Sequence, residues 1–353
     1  MSNYKELNDY IDEIYNFNNL WKDKCSKYNV QIEQPHVLPP VYRIIVIGDI
    51  HGDWNMLNDI LKIAKVIDTN GNWNGGKTVV VQVGDQVDRC RYTNMSCSLK
   101  EATDNDEASD IKILKYFTEL NKQAVIQGGA VYSLMGNHEL MNVNGNLNYV
   151  SYEGLREFEN YKGIKNGAEA RAYAFKPGNV MSIFLACTRQ VALIIGSNLF
   201  VHGGILPQIA KKYNIQNINR LMSLYLWDKL NNSSEYDDLL SSSSLSPLWT
   251  RMFGHMGQAI YSNSQNIVET KGQCVSLMNP LKELYKINRL FIGHTPLMEN
   301  GISSICNGQV WLTDYGSSKA FDKFDNNGES RSKSRQPHVL EILNDGEQIN
   351  IIK

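Results

Sequence analysis

Five short apolar runs, each closing at once on glycine, aspartate, asparagine or histidine, constrain this chain more than any other feature. They are Arg43–Ile47, Thr78–Val83, Ala130–Met135, Asn198–Val201 and Arg289–Ile292. Their length and β-branched content predict strands, while the stretches Met56–Ile67, Glu107–Ala124 and Tyr152–Tyr161 have the spacing of helices. Tyr4 to Lys24 reads as one amphipathic helix ended by Pro35, Pro39 and Pro40. Val180–Thr188 and Val191–Ile195 read as paired strands leading into the run that ends at Val201. Asn307-Gly308 and Asp345-Gly346, each between apolar runs, carry hairpin turn chemistry. Together these elements predict a mixed α/β (α+β) chain: a sandwich of two sheets flanked by helices.

The strand ends present Gly48-Asp49-Ile50-His51-Gly52, Gly84-Asp85-Gln86-Val87-Asp88-Arg89, Gly136-Asn137-His138-Glu139, His202-Gly203-Gly204 and Gly293-His294-Thr295. Loops that leave strands in this way converge on one edge of the sheets, where α/β folds place their sites. Taken singly, each piece is bland: Gly-Asp is common turn chemistry, and a lone histidine is more often a satisfied core residue. As an ordered set they read differently. Carboxylate, imidazole and amide oxygen suit divalent ions such as Mn, Fe, Zn or Mg, and a carboxylate can bridge two of them. Asp49, His51 and Asp85 make one site; Asp85, Asn137, His202 and His294 make the second. Two such ions activate a bridging hydroxide for in-line phosphoryl displacement, so no side chain has to be phosphorylated. His138, next to the ligand Asn137, is placed to act as general acid, with Asp88 holding its proton. Arg89 presents a planar fork that matches two phosphate oxygens, its bland alternative being a surface ion pair.

At 353 residues with 42% hydrophobic and 20% charged side chains, the chain has the makeup of a globular protein with a full core. The division expected is a helical extension over 1–40 and one catalytic domain over 41–353. A net charge of −2 leaves no electrostatic footprint for nucleic acid. No run reaches the roughly 18 apolar residues of a membrane span. The first residues lack a basic start and an apolar core, so the expected location is intracellular and cytoplasmic. Six cysteines without a CxxC spacing fit reduced thiols better than a disulfide framework, only Cys90 and Cys97 being close in sequence. The serine-rich stretch 233–246 and the polar stretch 325–336 read as mobile loops. No Gly-x-x-x-x-Gly-Lys is present, so no nucleotide P-loop is expected.

The five segments resemble the calcineurin-like metallophosphoesterase superfamily over about residues 42 to 321, in its phosphoprotein phosphatase pattern GDxHG, GDxVDRG, GNHE, HGG and GHT. Leu134–Asn142, Ser246-Pro247-Leu248-Trp249-Thr250-Arg251 and Asp314–Phe321 look like the Shewanella-like phosphatase branch. The resemblance implies metal ligation by Asp49, His51, Asp85, Asn137, His202 and His294, and an acid pair of His138 and Asp88. It also implies phosphate contacts from Arg89, Asn137 and Arg251, with a solvated or ion-paired arginine as the alternative for Arg251. One departure stands out: Cys90 replaces the glycine after Arg89, and the polar loop from Arg91 to Asp106 is long for the family. Tyr315 reads as a packed aromatic.

The function implied is hydrolysis of phosphomonoesters on proteins or peptides, at serine, threonine or tyrosine, with two divalent ions, manganese foremost. A symmetrical dinucleoside tetraphosphate hydrolase shares most of these motifs. A catalytically silent binding protein would have lost a ligand, and none of the six is missing. Regulatory subunits have no signature in the sequence.

Overall fold

The computed structural model describes residues 2–28, 33–91, 95–230, 237–262, 267–324 and 333–353. In chain order its strands are β1 (Val37–Leu38), β2 (Arg43–Ile47), β3 (Val79–Gln82), β4 (Ala130–Leu134), β5 (Arg189–Gln190), β6 (Ala192–Ile195), β7 (Asn198–Val201), β8 (Arg289–Ile292), β9 (Ser303–Ile305), β10 (Val310–Leu312), β11 (Val339–Leu343) and β12 (Gln348–Ile352). They form two six-stranded sheets. One runs β12-β11-β2-β3-β4-β5, with β2 to β5 parallel and the two C-terminal strands added antiparallel. The other runs β1-β6-β7-β8-β10-β9, with β7, β8 and β10 parallel.

Alternation along the strands builds the layers. Ile44, Val46, Val79 and Val81 face Leu193, Ile195, Phe200 and Phe291 across the inter-sheet core. Their neighbours Ile45, Ile47, Val80 and Val131 turn the other way, onto the helices Trp54–Ile63 and Asp110–Ile126. Strands buried on both faces need apolar residues at every position, which is why these runs are continuous rather than alternating in the sequence. The second sheet is covered by Asn137–Val143, Gly167–Phe175, Val180–Thr188, Ile215–Leu226 and the C-terminal helix Ile267–Tyr285. The two-sheet sandwich flanked by helices is therefore the observed fold, and both Asn307-Gly308 and Asp345-Gly346 sit in hairpins with positive φ.

Three expectations are corrected. Val180–Thr188 is a helix, not a strand. The segment is apolar on nearly every side, so its periodicity carried no signal, and a helix of that kind is one buried all round. The N-terminal helix is broken into Ser2–Tyr15 and Phe17–Cys25 at Asn16, whose φ of 46° is left-handed. Asparagine tolerates that conformation, and the break lets Ile11 on one helix and Phe17 and Trp21 on the other reach the same core. Finally, the cysteines are not free: Cys25–Cys187, Cys90–Cys97 and Cys274–Cys306 are disulfides with Cα separations of 5.3, 5.8 and 5.4 Å. Folding brings together residues up to 162 positions apart, which spacing in the sequence does not report.

The N-terminal helices belong to the same core as the second sheet. Phe17 and Trp21 pack on Trp227, Arg220 binds Asp12 and Glu33, and β1 pairs with β6. Of the two stretches read as mobile loops, residues 233–236 and 325–332 lie outside the described residues. Leu239, Leu240, Ser246 and Arg335, which are described, are all buried.

Candidate metal centre

The parallel strands β2, β3, β4, β7, β8 and β10 all deliver their C-terminal ends to one edge of the sandwich. Asp49 and His51 follow β2, Asp85 and Asp88 follow β3, Asn137 and His138 follow β4, His202 follows β7, and His294 follows β8. The glycines before them are required by crowding. A Cβ at Gly136 would overlap the Asp85 carboxylate, and one at Gly293 would overlap that of Asp49. His51, Asp85, Asp88 and His294 have φ of 44°, 54°, 73° and 70°, strained values for side-chain-bearing residues that cluster at functional sites.

All six expected ligands are buried and near one another. Ligand atoms of His51, Asp85 and His138 lie within 4.8 Å of each other, as do those of Asp85, His202 and His294. Asp85 is common to both sets. Its Oδ2 is 3.2 Å from His202 Nε2 and 3.7 Å from His51 Nε2, which is also 3.7 Å from Asp49 Oδ2. Asn137 Oδ1 lies 2.9 Å from His202 Nε2.

Outer partners fix the direction of each ring. His202 Nδ1 is 2.9 Å from the Val83 carbonyl, to which it donates, and this turns Nε2 inward toward Asp85 and Asn137. His294 is held the other way round: its Nε2 faces the Trp249 carbonyl at 3.1 Å, which leaves Nδ1 for a ligand. Glu139 gathers the backbone N–H groups of Asp85, Gln86, Val87 and Gly136, tying the loop after β3 to the start of the helix Asn137–Val143.

The electrostatics match this donor set to cations. Burial first, then the negative charges of Asp314 and Asp85, push Asp49 well above the usual carboxylate range. Asp314 is raised by burial and by Asp85. Burial opposes ionisation of Asp85 as well, but His202, His138 and His51 outweigh it and hold this carboxyl well below its ordinary value. His51 is driven down by burial and then by Arg91, and His294 by burial and then by His202, while in His202 burial is outweighed by Asp85 and Glu139, which raise the ring. Clustered buried carboxylates beside imidazoles are what borderline-hard divalent ions coordinate. The residues present fit such ions.

His138 stands apart from this set by its partners. Its Nδ1 is 2.7 Å from Asp88 Oδ2, and its Nε2 is 3.8 Å from Asp85 Oδ2. Asp88 is itself held: Asn142 Nδ2 donates to Oδ1 at 2.8 Å, and its backbone N–H donates to Asp110, which pairs with the fully buried Arg171 at 2.7 Å. Arg251 donates through Nη1 to the His294 carbonyl and to Thr295 Oγ1, beside the second set. Tyr315 packs between the sheets with its hydroxyl donating to the His338 carbonyl.

Arg89 takes a different place from the one expected. It is buried, with Nη1 donating to Ser318 Oγ at 3.2 Å and lying 3.7 Å from Asp53, and none of its described contacts is with a metal ligand. The arginine over the ligands is Arg91, whose Nη2 lies 2.9 and 2.7 Å from the two ring nitrogens of His51. Its guanidinium sits between the rings of Tyr149 and Phe321, at 5.3 and 4.8 Å. Sequence reasoning missed Arg91, Glu139, Arg171 and Asp314. Asp314 had a signal, since it follows β10 as the expected ligands follow their strands; Arg91, in an irregular loop, had none.

Residues 42–298 match the calcineurin-like phosphoesterase family. An uncharacterised protein of Acanthamoeba polyphaga mimivirus is 32% identical over 65% of this chain and 95% of its own length. Shewanella-like protein phosphatase 2 of Arabidopsis thaliana is 29% identical over 86% of this chain and 75% of its own. Among solved structures, a cold-active protein tyrosine phosphatase superposes with a TM-score of 0.65 at 21% identity, over 93% of this chain and 83% of that one, and so shares its fold. With the family matched across most of its length and its metal-ligand geometry assembled at one sheet edge, this chain belongs to the calcineurin-like phosphoesterases.

Proposed function

We propose that the chain is a phosphoprotein phosphatase, hydrolysing phosphomonoesters on serine, threonine or tyrosine. The observation that carries this reading is the shared Asp85, buried between two sets of nitrogen and oxygen ligands, with the His138–Asp88 pair alongside. Similarity to proteins named Shewanella-like protein phosphatases supports protein substrates. Two divalent ions, held by Asp49, His51, Asp85, Asn137, His202 and His294, would lower the proton affinity of a water and clamp the oxygens of an in-line displacement. Manganese is the ion of choice for reconstitution.

The chain's own groups do the rest. Asp88 holds one proton on His138 Nδ1, so that the ring protonated on both nitrogens gives its Nε2 proton to the departing oxygen of the ester and is left neutral. Arg251 lies at one side of the ligands and Arg91 at the other, so that two guanidinium groups draw the phosphate into the site. Asn137 faces the same space from the helix N-terminus. Arg89, one step further out, lines a small cavity next to Arg91.

The test is hydrolysis of p-nitrophenyl phosphate by manganese-loaded protein, set beside phosphoserine, phosphotyrosine and dinucleoside tetraphosphate substrates. Two metals per chain with turnover of phosphopeptides supports the reading. Cleavage of the dinucleotide alone would replace it with a dinucleoside polyphosphate hydrolase.

A further inference from the structure

Beside the metal centre lies a cluster of basic and hydroxyl groups outside the ligand set. Arg89 is 2% exposed, yet its Nε and Nη2 have no hydrogen-bond partner. The hydroxyl of Thr103 is likewise buried and unpartnered. Both residues line one small cavity, together with Arg91, Lys319 and Lys323. Asp53 and Ser318 take only Nη1, and buried N–H donors left unmade are costly, so native sites supply them with an acceptor.

Charge and size narrow that partner. Arg89 lies 3.7 Å from Asp53, Lys319 lies 3.8 Å from Glu107 and Asp322 is paired with Arg335 at 2.9 Å, which leaves Arg91 and Lys323 facing Asp104. The cations therefore outnumber the acids that face them. The cavity volume is about 50 Å³, several times the roughly 10–15 Å³ that a single water needs. That is the scale of one small oxyanion, and a planar guanidinium edge beside a hydroxyl suits a tetrahedral one. Arg91 joins this cavity to the metal ligands, because it lines the one and touches His51 in the other.

We propose that this cavity is a second phosphate subsite, adjacent to the metal centre, that takes a phosphate dianion. The dianion is either a second phosphate on a residue flanking the one being hydrolysed or free inorganic phosphate. The first source rests on the phosphatase reading above; the second does not.

The experiment compares kcat/KM of the manganese-loaded full chain on peptides with one phosphate and with a second phosphate two residues away. The second phosphate is expected to improve kcat/KM through KM by about tenfold or more, the effect of one charge-assisted contact. In Thr103→Val and Lys319→Gln the ratio of the two values falls to about 1; using the ratio cancels any loss common to both peptides. Calorimetric titration of the same protein with inorganic phosphate separates the sources. No peptide preference but two phosphates bound per chain, reduced to one in Thr103→Val, assigns the subsite to free phosphate. One phosphate per chain and no preference in the parent protein means the cavity holds only water, and overturns the proposal. Absence of p-nitrophenyl phosphate turnover would reject the phosphatase reading instead, and the titration, which needs no turnover, still tests the subsite.

Discussion

Asp85 is held between three imidazoles, and its carboxylate is shared by both ligand sets. Asp85→Asn keeps the shape and removes the charge, so both metals should be weakened together. The expected loss of turnover exceeds about 100-fold, beyond what removing an outer partner of a metal ligand costs. Metal counted per chain by elemental analysis should fall well below two, and near-normal activity would sink the shared role. His138→Asn tests a different residue function. Metal content should hold while hydrolysis of esters with poor leaving groups slows by about 10²- to 10⁴-fold, the range of general acid catalysis. Activated esters such as p-nitrophenyl phosphate should lose less, and an equal loss on both would argue against proton donation.

At the scale of elements, the helix Gly167–Phe175 matters through one side chain. Arg171 is fully buried and reaches the Gly154 carbonyl, Asn142 and Asp110, the last two of which in turn hold Asp88. Arg171→Met leaves Asp110 as an uncompensated buried charge, which costs about 3–5 kcal/mol in comparable pairs. Urea unfolding should show that loss, and the residual folded enzyme should be slower because Asp88 loses its support. Nothing in the sequence announced this network, since its members lie on separate helices and loops. The strands bearing the ligands were legible for the opposite reason: each is a local apolar run followed by an unusual residue, and local signals survive in sequence. Val180–Thr188 was misread because a largely buried, apolar helix and a buried strand look alike over nine residues. Asn16 breaks a helix whose apolar spacing continued through it. For the site, the ligands and the His138–Asp88 pair were visible as motif residues, whereas the positions of Arg89 and Arg91 depended on the irregular loop after β3.

Over the whole molecule, the disulfides change the expected covalent frame. All six cysteines are joined in three disulfides, where free thiols were expected from spacing alone. Among the described residues no helix is long and apolar enough to cross a membrane. Loading the centre with metal should raise Tm and a chelator should lower it, because ligands that bind only the folded state stabilise it; an unchanged Tm would mean that the clustered carboxylates hold no ion. Cys25 and Cys187 close a covalent ring whose ends are 162 residues apart. Asp49, His51, Asp85, Asn137 and His138 sit within the ring, and His202 and His294 lie outside it. A single cut inside the ring opens it without dividing the molecule. The exposed residues Asp104 and Asn105 offer such a place. Chain nicked there by limited proteolysis should run as one body on a denaturing gel and part into two only when a thiol is added. Two bands without the thiol would mean that the ring was never closed.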